Sequence, residues 1–256
     1  SPDNTLAVFG VDTVSRRQYT LRVKNLNTGE LYSDVIENTT GSSVWAADNK
    51  TFFYTKKDPV TLRSDRIFKH QLGTSSEEDE LVFHEQDETF NTFVYKTKSK
   101  KFLIIGSFST LTSEFRFLPA DRPDGEFQVF SERSEGLEYS IFHYNDTFYI
   151  LTNKDGATNF KLMKTSEDAT EQEYWQDFIP HRKKVLLEDV EIFKDFYVLS
   201  ERENGVNKIK VVRWDGQDQY YLPFESETYV AGPTTNPDFE TVKLRYNYNA
   251  MTSPYA

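Results

Sequence analysis

A chain of 256 residues that is 37% hydrophobic and 15% aromatic can bury a substantial core. Its 30 Lys and Arg against 41 Asp and Glu leave a formal charge of −11, which speaks against a nucleic-acid surface, because that affinity comes from clustered cations. The lack of Cys removes disulfides, thiolate metal sites and a cysteine nucleophile, and no apolar run approaches the ~20 residues that span a bilayer.

The 21 Phe and 15 Tyr, set among 11 Gly and 9 Pro, favour short aromatic strands punctuated by turns. The chain opens on Ser1-Pro2-Asp3-Asn4, with neither an initiator Met nor a basic leader, and is expected to begin inside a domain. That opening is a polar turn running into an apolar stretch at Leu6; Tyr19 to Leu26 follows as a strand, and Asn27-Thr28-Gly29 supplies a turn. Ser43-Val44-Trp45-Ala46 begins a second unit, in which the opening pattern returns at Phe52. Arg66 to Leu72 then alternates polar and apolar residues as a half-buried strand does, and Glu80 to Phe83 follows. The third unit repeats this with Phe102, Glu114 to Leu118 and Phe127 to Phe130. The fourth has Tyr139 to Phe142, Phe148 and Asn159 to Met163, the fifth Phe196 and Lys208 to Trp214, and a last copy starts near Tyr229 with its apolar run opening at Val242.

The first apolar residues, Leu6, Phe52, Phe102, Phe148, Phe196 and Val242, are spaced by 46, 50, 46, 48 and 46 residues. Four-stranded propeller blades repeat every ~40–50 residues. The expected fold is therefore all-β, an incomplete β-propeller of four-stranded antiparallel blades with about five to six blade units. A blade remnant covers 1–42, whole blades cover about 43–88, 89–136, 137–184 and 185–226, and a trailing remnant covers 227–256. The likeliest helical stretch, Glu167 to Gln176, is short. The acidic run Glu77-Glu78-Asp79-Glu80 and the basic run Lys96 to Lys101 read as solvated loops. The three sequons, at Asn38, Asn49 and Asn145, read as turn residues.

The inventory of reactive motifs is negative. No Gly-x-Ser-x-Gly nucleophile turn and no glycine-rich phosphate cradle is present. His70, His84, His143 and His181 are scattered, so they read as structural or surface residues, and neither a metal nor a cofactor is expected. Trp214-Asp215 occurs once and reads as a strand running into a turn. One knot of polar residues stands out, Asp12 with Arg16 and Arg17 just before the Tyr19 strand. It can be an ion pair between blades, or a contact to another domain or to a peptide carboxylate, which a forked guanidinium suits.

Several segments in order, among them Val11-Asp12-Thr13-Val14-Ser15-Arg16-Arg17-Gln18-Tyr19, Lys57-Asp58-Pro59-Val60-Thr61-Leu62-Arg63, Leu111-Thr112-Ser113-Glu114 and Asn153-Lys154-Asp155-Gly156-Ala157-Thr158-Asn159-Phe160, resemble the oligopeptidase B group of the prolyl oligopeptidase family. The match covers nearly the whole chain. It implies a seven-bladed propeller that caps an α/β-hydrolase domain and admits short peptides, cleaved after Arg or Lys. The family's catalytic Ser, Asp and His lie in the hydrolase domain, so no catalytic residue is carried onto this chain. The implied partners are that catalytic domain and short basic peptides, with no nucleic acid and no membrane. Exposed end blades imply self-association. The expected compartment is the cytoplasm, with the periplasm as the alternative. A stand-alone propeller that binds peptide or protein is the competing reading.

Overall fold

Thr51 to Thr55 is buried without a break, although a strand with one solvated face alternates. In the computed structural model, which describes residues 1–251, this run is sandwiched between two neighbours. Phe53 packs with Ile67, Leu103, Ile105 and Leu118 on one side, while Phe52 and Tyr54 pack with Leu6, Leu21, Val23 and Ile36 on the other. Each fully buried aromatic or aliphatic side chain contributes about 1.5–3 kcal/mol, so the continuous runs carry the core.

The chain divides into two compact units, residues 1–135 and 136–256. The first unit holds β1 (Leu6–Val11), β2 (Tyr19–Asn25), β3 (Leu31–Trp45), β4 (Thr51–Lys57), β5 (Ser64–Gln71) and β6 (Glu80–His84) in one antiparallel sheet of that order. A second sheet of four follows, β7 (Asn91–Lys96), β8 (Phe102–Phe108), β9 (Ser113–Pro119) and β10 (Gln128–Val129). The expected boundary between 1–42 and 43–88 falls inside β3, at an irregularity. Its first part pairs β2 and its second part pairs β4, with a register shift between Thr39 and Ser43. Asn38 and Gly41 take φ of 58° and 87° there. Gly41 is required twice over: its φ suits glycine, and a Cβ would lie 2.8 Å from the Tyr19 ring. Gly10 is as tight, since a Cβ would meet Gly41 Cα at 2.7 Å.

The second unit contains two further four-stranded antiparallel sheets, β11 (Tyr139–Tyr144) to β14 (Gln176–Ile179), through β12 (Thr147–Thr152) and β13 (Lys161–Ser166), and β15 (Val185–Ile192) to β18 (Gln219–Tyr221), through β16 (Phe196–Glu203) and β17 (Val206–Arg213). Tyr149, Leu151 and Leu162 of the former pack on Leu187, Val190, Ile192 and Leu199 of the latter. Trp214 stacks on Tyr144 at 4.1 Å between ring centres, and its Nε1 donates to the Phe193 carbonyl at 2.9 Å, which fixes it as a packing residue. β19 (Tyr229–Pro233) and β20 (Tyr246–Ala250) form a last pair.

Several expectations are corrected. Val242 opens no strand: it is 79% exposed, in a loop held by Asn236, whose amide donates to the Glu191 carboxylate and to the Thr234 and Arg245 carbonyls. That pin delays the strand to Tyr246. The basic run from Lys96 to Lys101 is not loop throughout, because Lys96 closes β7 and Thr97 is buried, whereas the short stretch from Glu167 to Gln176 holds one 3-10 turn, Gln172–Tyr174, as its shortness implies. Asp79 is not solvated, because its side chain is buried against His70 and Tyr54. Asn49 and Asn145 take positive φ in turns, as expected, whereas Asn38 takes its positive φ inside β3, at the irregularity.

Candidate functional site

Two of the loops at one end of the first unit are shaped by aspartates that gather backbone amides. In the loop between β1 and β2, Asp12 accepts the Val14 amide at 3.1 Å and the Arg17 amide at 2.7 Å, and Ser15 and Arg17 take positive φ to present those amides. Partial desolvation works against ionisation there. The amides of Arg17, Val14, Arg16 and Ser15 outweigh it and hold the carboxyl below the ordinary carboxylate range. In the loop between β4 and β5, Asp58 accepts the Val60 and Thr61 amides at 2.9 and 2.7 Å, and these bonds likewise lower its pKa. The link between β6 and β7 is organised by Asp87, which accepts the amide and hydroxyl of Thr89.

Cations then tie the segments together. Lys57 Nζ donates to the Arg17 carbonyl at 2.5 Å. Arg63 donates to three carbonyls of the β6–β7 link, those of Glu85, Asp87 and Phe90, at 3.1, 3.1 and 2.8 Å. Arg133 meets Glu85 at 2.6 Å and Glu114 at 3.4 Å, with its guanidinium 3.7 Å from the centre of the Phe90 ring. Burial disfavours its charge, but Glu85, Glu114 and Asp87 more than restore it and raise its pKa. Glu114 is also paired with Arg116, so one polar chain runs from the β1–β2 loop to the start of β9.

The tips that this scaffold presents are aliphatic. Val14, Val60, Leu62 and Leu111 are 61%, 87%, 42% and 62% exposed on three loops, β1–β2, β4–β5 and β8–β9. Ordinary loops need not be apolar at their tips, and exposed aliphatics held on a rigid polar frame have the character of an interaction surface.

Of the residues singled out in the sequence, Asp12 and Arg17 are brought together through the backbone. Neither the Arg16 nor the Arg17 guanidinium makes a hydrogen bond or ion pair among the described residues, and both are exposed. The aliphatic tips and the Arg63 and Arg133 clamps were not singled out. Their only signal was the position of Val60, Leu62 and Leu111 inside otherwise polar turn segments. Among the described residues no three His, Asp or Glu converge on a metal-sized site.

With this geometry in place, comparison with known proteins is direct. The family model of the prolyl oligopeptidase N-terminal β-propeller domain matches residues 1–256. The chain is 42% identical over 254 residues to dipeptidyl aminopeptidase BI of Pseudoxanthomonas mexicana, covering 99% of this chain and 35% of the relative. It is 32% identical over 239 residues to protease 2 of Moraxella lacunata, covering 93% and 34%. The chain thus spans about a third of the length of these relatives. Among solved structures, oligopeptidase B of Leishmania major superposes with a TM-score of 0.91 at 24% identity, over 98% of this chain and 36% of that one. Oligopeptidase B of Trypanosoma brucei with covalently bound antipain does so with 0.83 at 27%, over 98% and 38%. The all-β sheets, their repeat and these matches agree: the chain belongs to the prolyl oligopeptidase N-terminal β-propeller domain family.

Proposed function

We propose that this propeller is the access-limiting domain of a serine oligopeptidase and that the end carrying Val14, Val60, Leu62 and Leu111 docks on the catalytic α/β-hydrolase domain. The carrying observation is the set of exposed aliphatic tips, three of them on aspartate-built loops, beside one polar chain. Arg16 and Arg17, exposed on the first of those loops, are suited to pair with carboxylates of that domain or of a bound peptide. Short peptides cleaved after Arg or Lys are the proposed substrates, and a net charge of −11 favours their approach by long-range attraction. No step of bond cleavage is assigned to this chain.

A second reading has a specific observation behind it, since the 42% identical relative is named a dipeptidyl aminopeptidase. Release of dipeptides from a free amino terminus then replaces internal cleavage after basic residues.

The test uses the full-length protein with Val60→Asp and Leu62→Asp together, assayed on an amino-blocked arginyl reporter, a free-amino dipeptidyl reporter and a folded protein. Burying two such aliphatics contributes about 1.5–3 kcal/mol each, so charging them is expected to loosen docking. Peptide turnover should fall, or the size limit relax. Unchanged turnover and an unchanged size limit refute the docking reading. Hydrolysis of the free-amino reporter alone selects the dipeptidyl reading.

A further inference from the structure

His70 lies on β5 in the first unit, away from the loops described above, and its imidazole is fully buried. Both ring nitrogens face carboxylate oxygens. Nδ1 is 2.7 Å from Asp79 Oδ1, in the turn between β5 and β6, and Nε2 is 2.9 Å from Asp34 Oδ1 on β3. A neutral imidazole has one N–H and one lone pair, so with two ionised carboxylates it would bring one lone pair against another. An imidazolium has two N–H groups and satisfies both contacts.

Among the described residues the surrounding elements add donors but no second cation. From β4, the Tyr54 hydroxyl donates to Asp79 Oδ2 at 2.8 Å, and the Phe52 ring lies 4.8 Å from the imidazole. From the β5–β6 turn, the Gly73 amide donates to Asp34 Oδ1 at 2.6 Å. Asp34 Oδ2 is buried with no hydrogen-bond donor. Asp34 and Asp79 are thus the titratable groups that contact His70, with Tyr54 behind Asp79, and among the described residues the proton on the ring is the only positive charge in contact with the two acids.

We propose that His70 is a proton-dependent latch: its imidazolium fastens the Asp34-bearing part of β3 and the Asp79 turn to β5, and loss of the proton releases them. The position of Asp34 makes the latch a joint within the sheet. It lies in the part of β3 that pairs β2, beyond the register shift from the part that pairs β4. Burial pulls the imidazole pKa down, but Asp79 and Asp34 outweigh it and hold it above the ordinary histidine value of ~6.5. For a group raised on folding, the stabilisation is present below the unfolded value and is lost as pH rises through the folded one. The latch therefore holds below the ordinary histidine value and opens as pH rises through the raised one.

Asp79→Asn separates this from simple packing. Its Nδ2 can donate to Nδ1 of a neutral His70 while its Oδ1 accepts from Tyr54, and Nε2–H still donates to Asp34, so every contact survives without the proton. The unfolding equilibrium constant of the 256-residue chain is measured by denaturant titration between pH 6 and 10. It is expected to rise by about tenfold per pH unit in the interval just above pH ~6.5, the limit set by one proton, and the Asp79→Asn chain should lack that component. Nitrogen-15 spectra of the folded, histidine-labelled chain at pH ~6.5, where a free imidazole is half neutral, give an independent reading, with both His70 nitrogens protonated. A neutral ring at that pH, or the same slope in the variant, overturns the latch. If the variant does not fold, the ring spectrum alone decides.

Discussion

Replacing Arg133 by Met cuts the polar frame of the candidate docking end at its most buried point. Glu85 and Glu114 are each 4% exposed, and Arg133 sits between them with 27% of its side chain exposed. Breaking a buried ion pair by removing one partner costs about 3–5 kcal/mol. Here the exposed edge of the guanidinium and the second cation on Glu114, Arg116, lower the expectation to about 3 kcal/mol. Met retains contact with the Phe90 ring, so the loss is mainly electrostatic. For a unit of this size that corresponds to about 10 °C in melting temperature. Adding Glu85→Gln to Arg133→Met removes the stranded charge, so the double variant should be more stable than the sum of the singles by about 1–2 kcal/mol. Urea titrations of the four chains of the cycle measure this. Additive effects, or an Arg133→Met cost under about 0.5 kcal/mol, would refute the view that Arg133 is held by charge.

Gly10→Ala should destabilise the first unit by about 1–3 kcal/mol, because the added methyl meets Gly41 backbone that has no room to retreat; thermal melts with Gly29→Ala as an open-space comparison check the packing component. Asp189 on β15 has its carboxyl pushed up by desolvation and by Glu191, although its amide contact with Val190 works the other way. A raised acid stabilises the fold below its unfolded value and loses that contribution as pH rises through the folded one. Asp189 is exposed at the strand surface, so solvent screens much of this, and Asp189→Asn should raise the melting temperature only slightly at pH 7 and make no difference below pH ~4. Trp214→Phe removes the bond to the Phe193 carbonyl but keeps a ring on Tyr144, and a loss of about 1–2 kcal/mol is expected in urea titration of the second unit.

The strands were legible because their burial has a period. Phe52-Phe53-Tyr54, Leu103-Ile104-Ile105 and Tyr149-Ile150-Leu151 are continuous apolar runs that only a doubly covered strand tolerates, and the polar turns before them mark where each begins. Val242 shows the limit of that signal. It has the same local pattern, yet the Asn236 pin, made to Glu191 45 residues away, moves the strand start to Tyr246. Asp79 shows the same limit from the polar side. Glu77, Glu78, Asp79 and Glu80 are interchangeable as a charge run, and only the positions of His70 and Tyr54 in three dimensions pick out the one that is buried.

The candidate docking end was half legible for a related reason. Asp12, Arg16 and Arg17 were visible as a polar knot, but the sequence paired charge with charge, whereas Asp12 is answered by backbone amides and the guanidiniums are left for something else. An aspartate at the start of a tight loop competes for the nearest N–H groups, which are its own, and that local bond costs less entropy than ordering two long arginine side chains. The same economy recurs at Asp58. Loops fixed from within in this way need no aliphatic residue for their own stability, so Val60 at 87% exposure is free to serve a partner. A polar loop carrying an aspartate two residues before a lone aliphatic, as in Asp12-Thr13-Val14 and Asp58-Pro59-Val60, is thus a pattern that joins the turn's chemistry to an outward-facing tip. It was present in the sequence at both positions, but its meaning depends on knowing that the aspartate turns the loop outward.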